Sequence, residues 1–315
     1  MPDILTITLN PALDMSTTVD HVRPEAKLRC ERPVLEPGGG GVNVARAVGI
    51  LGGRALALIA LAGFNGQQYL SLLANEPIVP IAFAIPGETR QSLAVIDRDT
   101  GEQYRFVMPG PRWDSEHAHE ALTAIDRAMG DGSFVVLSGS QPPGVPLHFP
   151  ADLAAIVEER GGKLILDTSG KAMKALLGIG SARQHVLRLD GEESAELAGR
   201  PLRTTTEVAD FAEELVTRGV AEVVVLAMGE NGSVLVENGK RWHAVTEKVK
   251  VRSKVGAGDS FVGAFTLARS RGAAWEEALV QGVAAASAAV MTDGTELCRR
   301  ADVEALARTA KLTRI

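Results

Sequence analysis

The sequence has little cysteine, no long apolar run and no excess of basic residues, and each shortage removes a class of protein. Cys30 and Cys298 are the only cysteines among 315 residues. They stand far apart, without CxxC or Cys/His spacing, so neither a disulfide framework nor a zinc site has anything to build on. The longest apolar stretches, such as Ala55 to Ala62 and Val283 to Met291, fall short of the roughly 20 residues a bilayer span needs, so no membrane partner is expected. Lys and Arg number 33 against 39 Asp and Glu, for a net charge of −6. The basic residues are scattered, which leaves no electrostatic footprint for a phosphate backbone and excludes nucleic acid as a partner. Met1, Pro2 and Asp3 lead straight into an apolar strand pattern, without the basic start and apolar core of a secretion signal, so a cytoplasmic location is expected. There is no internal repeat, low-complexity tract or Pro-rich linker. A Walker A loop is missing too, because none of the Gly-Lys pairs at Lys163, Lys171 and Lys240 is followed by Ser or Thr.

What the chain does have is a rhythm of short apolar runs and 33 glycines. Ile4 to Leu9, Leu56 to Leu61, Phe134 to Leu137, Lys163 to Leu166, Glu222 to Leu226 and Ser233 to Val236 are too short for helices and lack polar alternation, so they predict strands buried on both faces. Helical patterns lie between most of them. Val42 to Leu51 stops at Gly52-Gly53, Ala151 to Arg160 at Gly161-Gly162, and Glu207 to Arg218 at Gly219, as helices do where they turn back toward a strand. The pattern predicts an α/β fold with a mostly parallel central sheet and helices on both faces.

Residues 12–35 and 88–108 break that rhythm. They alternate polar and apolar residues, as in Ser16-Thr17-Thr18-Val19 and Gln103-Tyr104-Arg105-Phe106-Val107, with a turn at Asp97 to Gly101. The two stretches predict a small antiparallel sheet, a β lid made from two insertions, beside a core formed by residues 1–11, 36–87 and 109–315. Strand edges left open on such a lid would be covered by pairing with a second subunit.

The glycines cluster at two places. Gly38-Gly39-Gly40-Gly41-Val42-Asn43 predicts a turn before a helix, where the backbone can approach a polyhydroxyl or anionic ligand and Asn43 offers a donor and an acceptor. A flexible loop with a helix cap is the plainer reading. Val255-Gly256-Ala257-Gly258-Asp259-Ser260 leads into an apolar helical pattern. There the N–H groups of Gly256 to Gly258 and the helix dipole would favour a transferring phosphoryl group, and Asp259 could take a proton from an attacking hydroxyl. Taken alone, the segment serves equally well as a capped helix start. A dinucleotide fingerprint is disfavoured because the third glycine, Gly263, comes too late. His117-Ala118-His119 reads as an exposed helix start rather than a metal site, and Trp113, Trp242 and Trp275 as packing residues.

At these two clusters the sequence resembles the ribokinase-like, phosphofructokinase B (PfkB) family of sugar kinases. Gly38 to Arg46 is similar to that family's N-terminal signature and Val255 to Ala264 to its C-terminal one. Within the family, Pro24 to Cys30, Gly101 to Gly110 and Ser138 to Gly144 resemble the 6-phosphofructokinase branch. The resemblance covers nearly the whole chain. It implies a ribokinase-like core with a β lid, a homodimer joined through the lid, and Mg²⁺-assisted transfer of the ATP γ-phosphoryl group to a primary hydroxyl of a sugar phosphate. Asp259 then matches the base, and Gly256, Ala257 and Gly258 the anion hole. Asp14, Gly39, Gly40 and Asn43 match the sugar site. Arg90 and Ser140 match positions near the acceptor's phosphate, with Lys27, Arg29 and Arg105 adding positive charge. Gly229 and Gly232 match an ATP loop, and Glu193 an acidic position that reaches Mg²⁺.

Several positions depart from the family pattern. Arg188-Leu189-Asp190 stands where Lys-Pro-Asn is common, Ala227 where Ser or Thr is usual, Lys254 where Thr is usual, and Glu296 where the 6-phosphofructokinase branch has Arg. These changes bear on nucleotide affinity and on a K⁺ site that the resemblance also implies. The motifs leave fructose 6-phosphate, fructose 1-phosphate and tagatose 6-phosphate open as acceptors. A sugar-phosphate or nucleotide sensor without catalysis is the reading from another class.

Overall fold

The computed structural model describes residues 4–175 and 184–315, so the opening Met1-Pro2-Asp3 lies outside the described residues. In chain order the strands are β1 (Ile4–Thr8), β2 (Ala12–Val19), β3 (Val34–Gly38), β4 (Ala55–Leu61), β5 (Val79–Ala84), β6 (Arg90–Asp97), β7 (Gln103–Val107), β8 (Phe134–Ser138), β9 (Lys163–Asp167), β10 (Gln184–Leu189), β11 (Ala221–Ala227), β12 (Ser233–Glu237), β13 (Lys240–Val245) and β14 (Lys311–Arg314). The helices are α1 (Gly40–Ile50), α2 (Gly63–Leu73), α3 (Ser115–Ala128), α4 (Phe149–Glu159), α5 (Gly170–Ala175), α6 (Gly191–Ala198), α7 (Thr205–Thr217), α8 (Ala257–Ser270), α9 (Trp275–Ala289) and α10 (Arg300–Thr309).

Ten strands form one sheet in the order β14-β13-β12-β11-β10-β9-β8-β1-β4-β5. The run from β11 to β5 is parallel, and β12, β13 and β14 add antiparallel pairs at one side. Successive side chains of a strand point to opposite faces. In β11, Val224 and Leu226 therefore join the core beneath α3, α4 and α7, while Val223 and Val225 join the one beneath α1, α2, α8 and α9. This three-layer arrangement is the expected α/β fold. The sequence pattern located six of the ten strands. It passed over β5, β10, β13 and β14, whose Pro80, His185, Arg188, Arg241 and Lys311 interrupt the apolar runs.

The predicted extended stretches form a second sheet of four strands, β3-β2-β6-β7. It is mixed rather than antiparallel, because its central pair β2–β6 is parallel while β2–β3 and β6–β7 are antiparallel. Both insertions leave the core in the same direction, which aligns their first strands. Residues 20–33 are not strand; they loop out and return, with the Glu31 N–H bonded to the Thr18 carbonyl. A second correction concerns the first glycine cluster. Gly38 ends β3, and Gly40 and Gly41 are already helical, so the turn is confined to Gly39. Among the described residues no helix is long and apolar enough to cross a membrane.

Candidate active site

β1 is an interior strand, third from the β5 edge, with β4 on one side and β8 on the other. In open α/β sheets ligands bind at the carboxyl ends of the strands where the strand order reverses. The chain places Asn10 and Asp14 after β1, Ser138 and Ser140 at and after the end of β8, Asp167 at the end of β9, Arg188 and Asp190 at the end of β10, and Ala227 at the end of β11. Residues scattered over more than 200 positions of sequence thus face one crevice.

α8 enters that crevice with its N-terminus. Gly256 caps it in a left-handed conformation, φ 74°, and a Cβ there would come within 2.5 Å of Leu297, so both backbone and space call for glycine. The first-turn N–H groups of Ala257, Gly258 and Asp259 have no partner within the helix, as at any helix start. Asp259 is half-buried and accepts a 2.9 Å hydrogen bond from Asn43 Nδ2. Burial first, and then the Asp167 carboxylate, push its pKa up to about 6, against the pull of Asn43, Arg188 and Ser138.

Arg188 Nη1 donates to Asp167 Oδ1 at 2.9 Å, both side chains being almost buried. The guanidinium lies against Gly258, where a Cβ would sit 3.0 Å from Nη1. Ser138 Oγ donates to the other Asp167 oxygen at 3.0 Å. Asp167 and Ser138 were not singled out from the sequence. A carboxylate directly after the buried run Lys163 to Leu166 was the available signal, since site residues gather at strand ends.

On the acceptor side, Asp14 lies across the bare Cα of Gly38, where a Cβ would overlap its carboxylate. Its pKa is pushed up to about 6, by burial against the opposing Arg90 and Arg105. Arg90 Nε donates to the Asn10 carbonyl at 3.2 Å, and Asn10 Nδ2 donates to Ser140 Oγ at 3.1 Å. Asn10, which the sequence did not single out, therefore joins Arg90 to Ser140. Gly39 is the α1 cap, and Gly40 packs its Cα on Ser138. Arg105 stands exposed on β7. Lys27 is exposed in the 20–33 loop and makes no hydrogen bond or ion pair with a described residue.

The remaining candidates gather beyond Arg188. Asp190 caps α6, accepting from the Glu193 N–H at 2.8 Å, while Glu193 Oε2 accepts from the Asp190 N–H at 2.9 Å. This capping box occupies one oxygen of Glu193. Its pKa is raised to about 7, by burial and by Asp190 and Asp167. The Ala227 carbonyl lies 3.5 Å from where a Gly191 Cβ would be, so the α6 start and the β11 end adjoin. Gly229 opens a single helical turn and Gly232 closes it, and His243 Nε2 meets the Asn231 carbonyl of the same turn at 2.7 Å. His117 lies in the first turn of α3, capped by Asp114, and His119 begins the second. Among the described residues no group of three or more His, Cys, Asp or Glu could hold a metal.

The sequence matches the pfkB family carbohydrate kinase profile over residues 7–302. The chain belongs to the pfkB family of carbohydrate kinases. It is 40% identical over 304 residues to the ATP-dependent 6-phosphofructokinase isozyme 2 of Escherichia coli K12, covering 96% of this chain and 97% of that one. Two solved structures of the Escherichia coli phosphofructokinase-2 superpose on it. The complex with potassium has a TM-score of 0.92 at 39% identity, covering 98% of this chain and 99% of that one. The complex with fructose-6-phosphate has a TM-score of 0.89 at 38% identity, with the same coverage. The pfkB chain described here shares with them the three-layer core and the separate small sheet.

Proposed function

We propose that this chain is an ATP-dependent 6-phosphofructokinase, which transfers the γ-phosphoryl group of ATP to the C1 hydroxyl of fructose 6-phosphate and yields fructose 1,6-bisphosphate. The observation that carries the reading is Asp259: a carboxylate with a raised pKa, oriented by Asn43, in the open first turn of a helix. The attacking oxygen forms its bond to the γ-phosphorus as the bond to the β,γ-bridging oxygen breaks and ADP leaves. The hydroxyl proton passes to an Asp259 oxygen. A base with a pKa near 6 is largely ionised at neutral pH yet basic enough to accept it. Negative charge on the transferring group meets the N–H groups of Ala257 and Gly258 and the Arg188 guanidinium, which are fixed in place before the reaction.

Asp14, with Gly39 and Asn43, holds the sugar hydroxyls, and Arg90 with Ser140 binds the 6-phosphate. The small sheet closes over the sugar as a lid, bringing Arg105. Two chains pair through that sheet in a homodimer, where Val34, Ile96, Phe106 and Val107 stand exposed, and Lys27 serves at the assembled site. Gly229 to Gly232, Ala227 and Asp190 border the nucleotide. On this side Glu193, with one oxygen outside the capping box, would meet Mg²⁺ through water, since Mg²⁺ keeps several waters and needs few direct protein ligands. When bound it neutralises charge on the ATP phosphates. K⁺ fits less well. Lys254, exposed just before Val255 and Gly256, brings a positive charge where the family usually has Thr.

ADP release across fructose 6-phosphate, fructose 1-phosphate, tagatose 6-phosphate and unphosphorylated sugars tests the reading. Highest kcat/KM with fructose 6-phosphate is expected. Preference for another ketose phosphate would reassign the acceptor, and ligand binding with no turnover of any sugar would leave a sensor. Arg90→Ala is expected to raise KM for fructose 6-phosphate by about 10- to 100-fold with a much smaller change in kcat, as the loss of a charge-assisted phosphate contact should. Steady-state kinetics check it.

A further inference from the structure

Asn43 is held from behind. Its Nδ2 donates to Asp259, and its Oδ1 accepts from Arg46 Nη1 at 3.3 Å. Arg46 Nε in turn donates to Glu76 Oε2 at 2.8 Å, with both side chains mostly buried, 13% and 22% exposed. An amide can be turned over at little steric cost, and its orientation follows from its neighbours. Here a carboxylate on one side accepts only, and a guanidinium on the other donates only. The two fix the amide the same way round. Turned over, Asn43 would set its oxygen against the Asp259 carboxylate.

We propose that Arg46, itself held by Glu76, is a positioning residue for phosphoryl transfer, locking the Asn43 amide so that its N–H group faces Asp259. Arg46 lies one turn along α1 from Asn43 and acts through it. Glu76 comes from beyond α2, so a loop outside the crevice sets the hydrogen bonding of the base. The groups that face Asp259 directly are Asp167 from β9, Arg188 from β10, Ser138 from β8 and Asn43 from α1. Those around Arg46 are Glu76 and, in the wider cluster that acts on the buried Tyr69 hydroxyl, Asp14 and Arg90. Arg46 is not among the charges that dominate Asp259, so its influence runs through the amide.

The inference rests on Asp259 being the base, and the test separates the two. In the purified full chain, the pH dependence of kcat at saturating substrates is compared for the native protein, Arg46→Met, Arg46→Lys, Glu76→Gln, Asn43→Ala and the Arg46→Met/Asn43→Ala double variant. Arg46→Met is expected to move the acidic limb up by about one pH unit, costing about fivefold at pH 6 and little above pH 8.5. Arg46→Lys retains a donor and returns the limb toward its native position. Glu76→Gln, which keeps a hydrogen-bonding partner for Arg46, gives a smaller shift and guards against misfolding of the Arg46 variants. In the double variant the Arg46 change should cost less than about twofold beyond Asn43→Ala alone. An unmoved limb, or the same loss with and without Asn43, overturns the inference. Native-like turnover by Asp259→Asn would instead overturn the base.

Discussion

Replacing Asp259 by Asn is expected to lower kcat by about 10²- to 10⁴-fold, the usual worth of a placed general base, with KM for both substrates changed only a few-fold. Asn keeps the shape and still meets Asn43, but it cannot take the hydroxyl proton. The same substitution is expected to stabilise the protein. Asp259 has a pKa of about 6 in the folded chain against about 4 unfolded. Its ionisation therefore opposes folding, and the stability of the neutral form is lost as pH rises through 4 to 6. At pH 8 the variant should gain roughly 1–3 kcal/mol, an advantage that vanishes below about pH 4. Thermal melts at pH 4 and pH 8 beside steady-state kinetics check both halves. Native turnover, or a melting difference that grows toward acid, would contradict the assignment.

Arg188→Ala should produce the largest loss of stability, about 3–5 kcal/mol, because it leaves the nearly buried Asp167 carboxylate without its cation. An exposed pair would cost under about 1 kcal/mol, so denaturant melts decide between the two. Activity should fall as well, by about 10²-fold, since the guanidinium that lies against Gly258 is lost. Uncompensated, Asp167 would repel the ionised Asp259 more strongly. The acidic limb of the pH profile should then move upward, so the loss is greater at pH 6 than at pH 8.

Much of this was legible in the amino-acid sequence where local chemistry decides the structure. Val223 to Leu226 reads as a strand because an unbroken apolar run buried on both faces has few other solutions. Glycines before an apolar helix announce an open helix start at Asp259, but they serve a capped helix as well as a base, and only the resemblance to a kinase family favours the base. What could not be read depends on segments meeting. Alternation marks Ser16 to Val19 and Ser92 to Ile96 as strands, but alternation carries no direction, so their parallel pairing was missed. Asp167 gains its meaning from Arg188 and Ser138, and Arg46 from Glu76, partners set by the sheet order and by the packing of α1 against the chain beyond α2. The departures at Arg188 and Asp190 were visible as letters. Only the folded chain shows that one becomes the partner of Asp167 and the other the cap of α6.

The place of β1 between β4 and β8 divides the molecule by chain order. Asn10, Asp14, Asn43, Arg90 and Ser140 come from the first half of the sequence, while Arg188, Glu193, Ala227, Gly232 and Asp259 come from the last half. The two sets meet where α8 crosses α1, so closely that a Cβ on Gly263 would stand 2.7 Å from that of Ala47. Acceptor preference and nucleotide handling can therefore change by separate stretches of the gene. Grafting the first segment of another pfkB chain should carry its sugar choice with it, provided the surfaces of these two helices are kept as a matched pair.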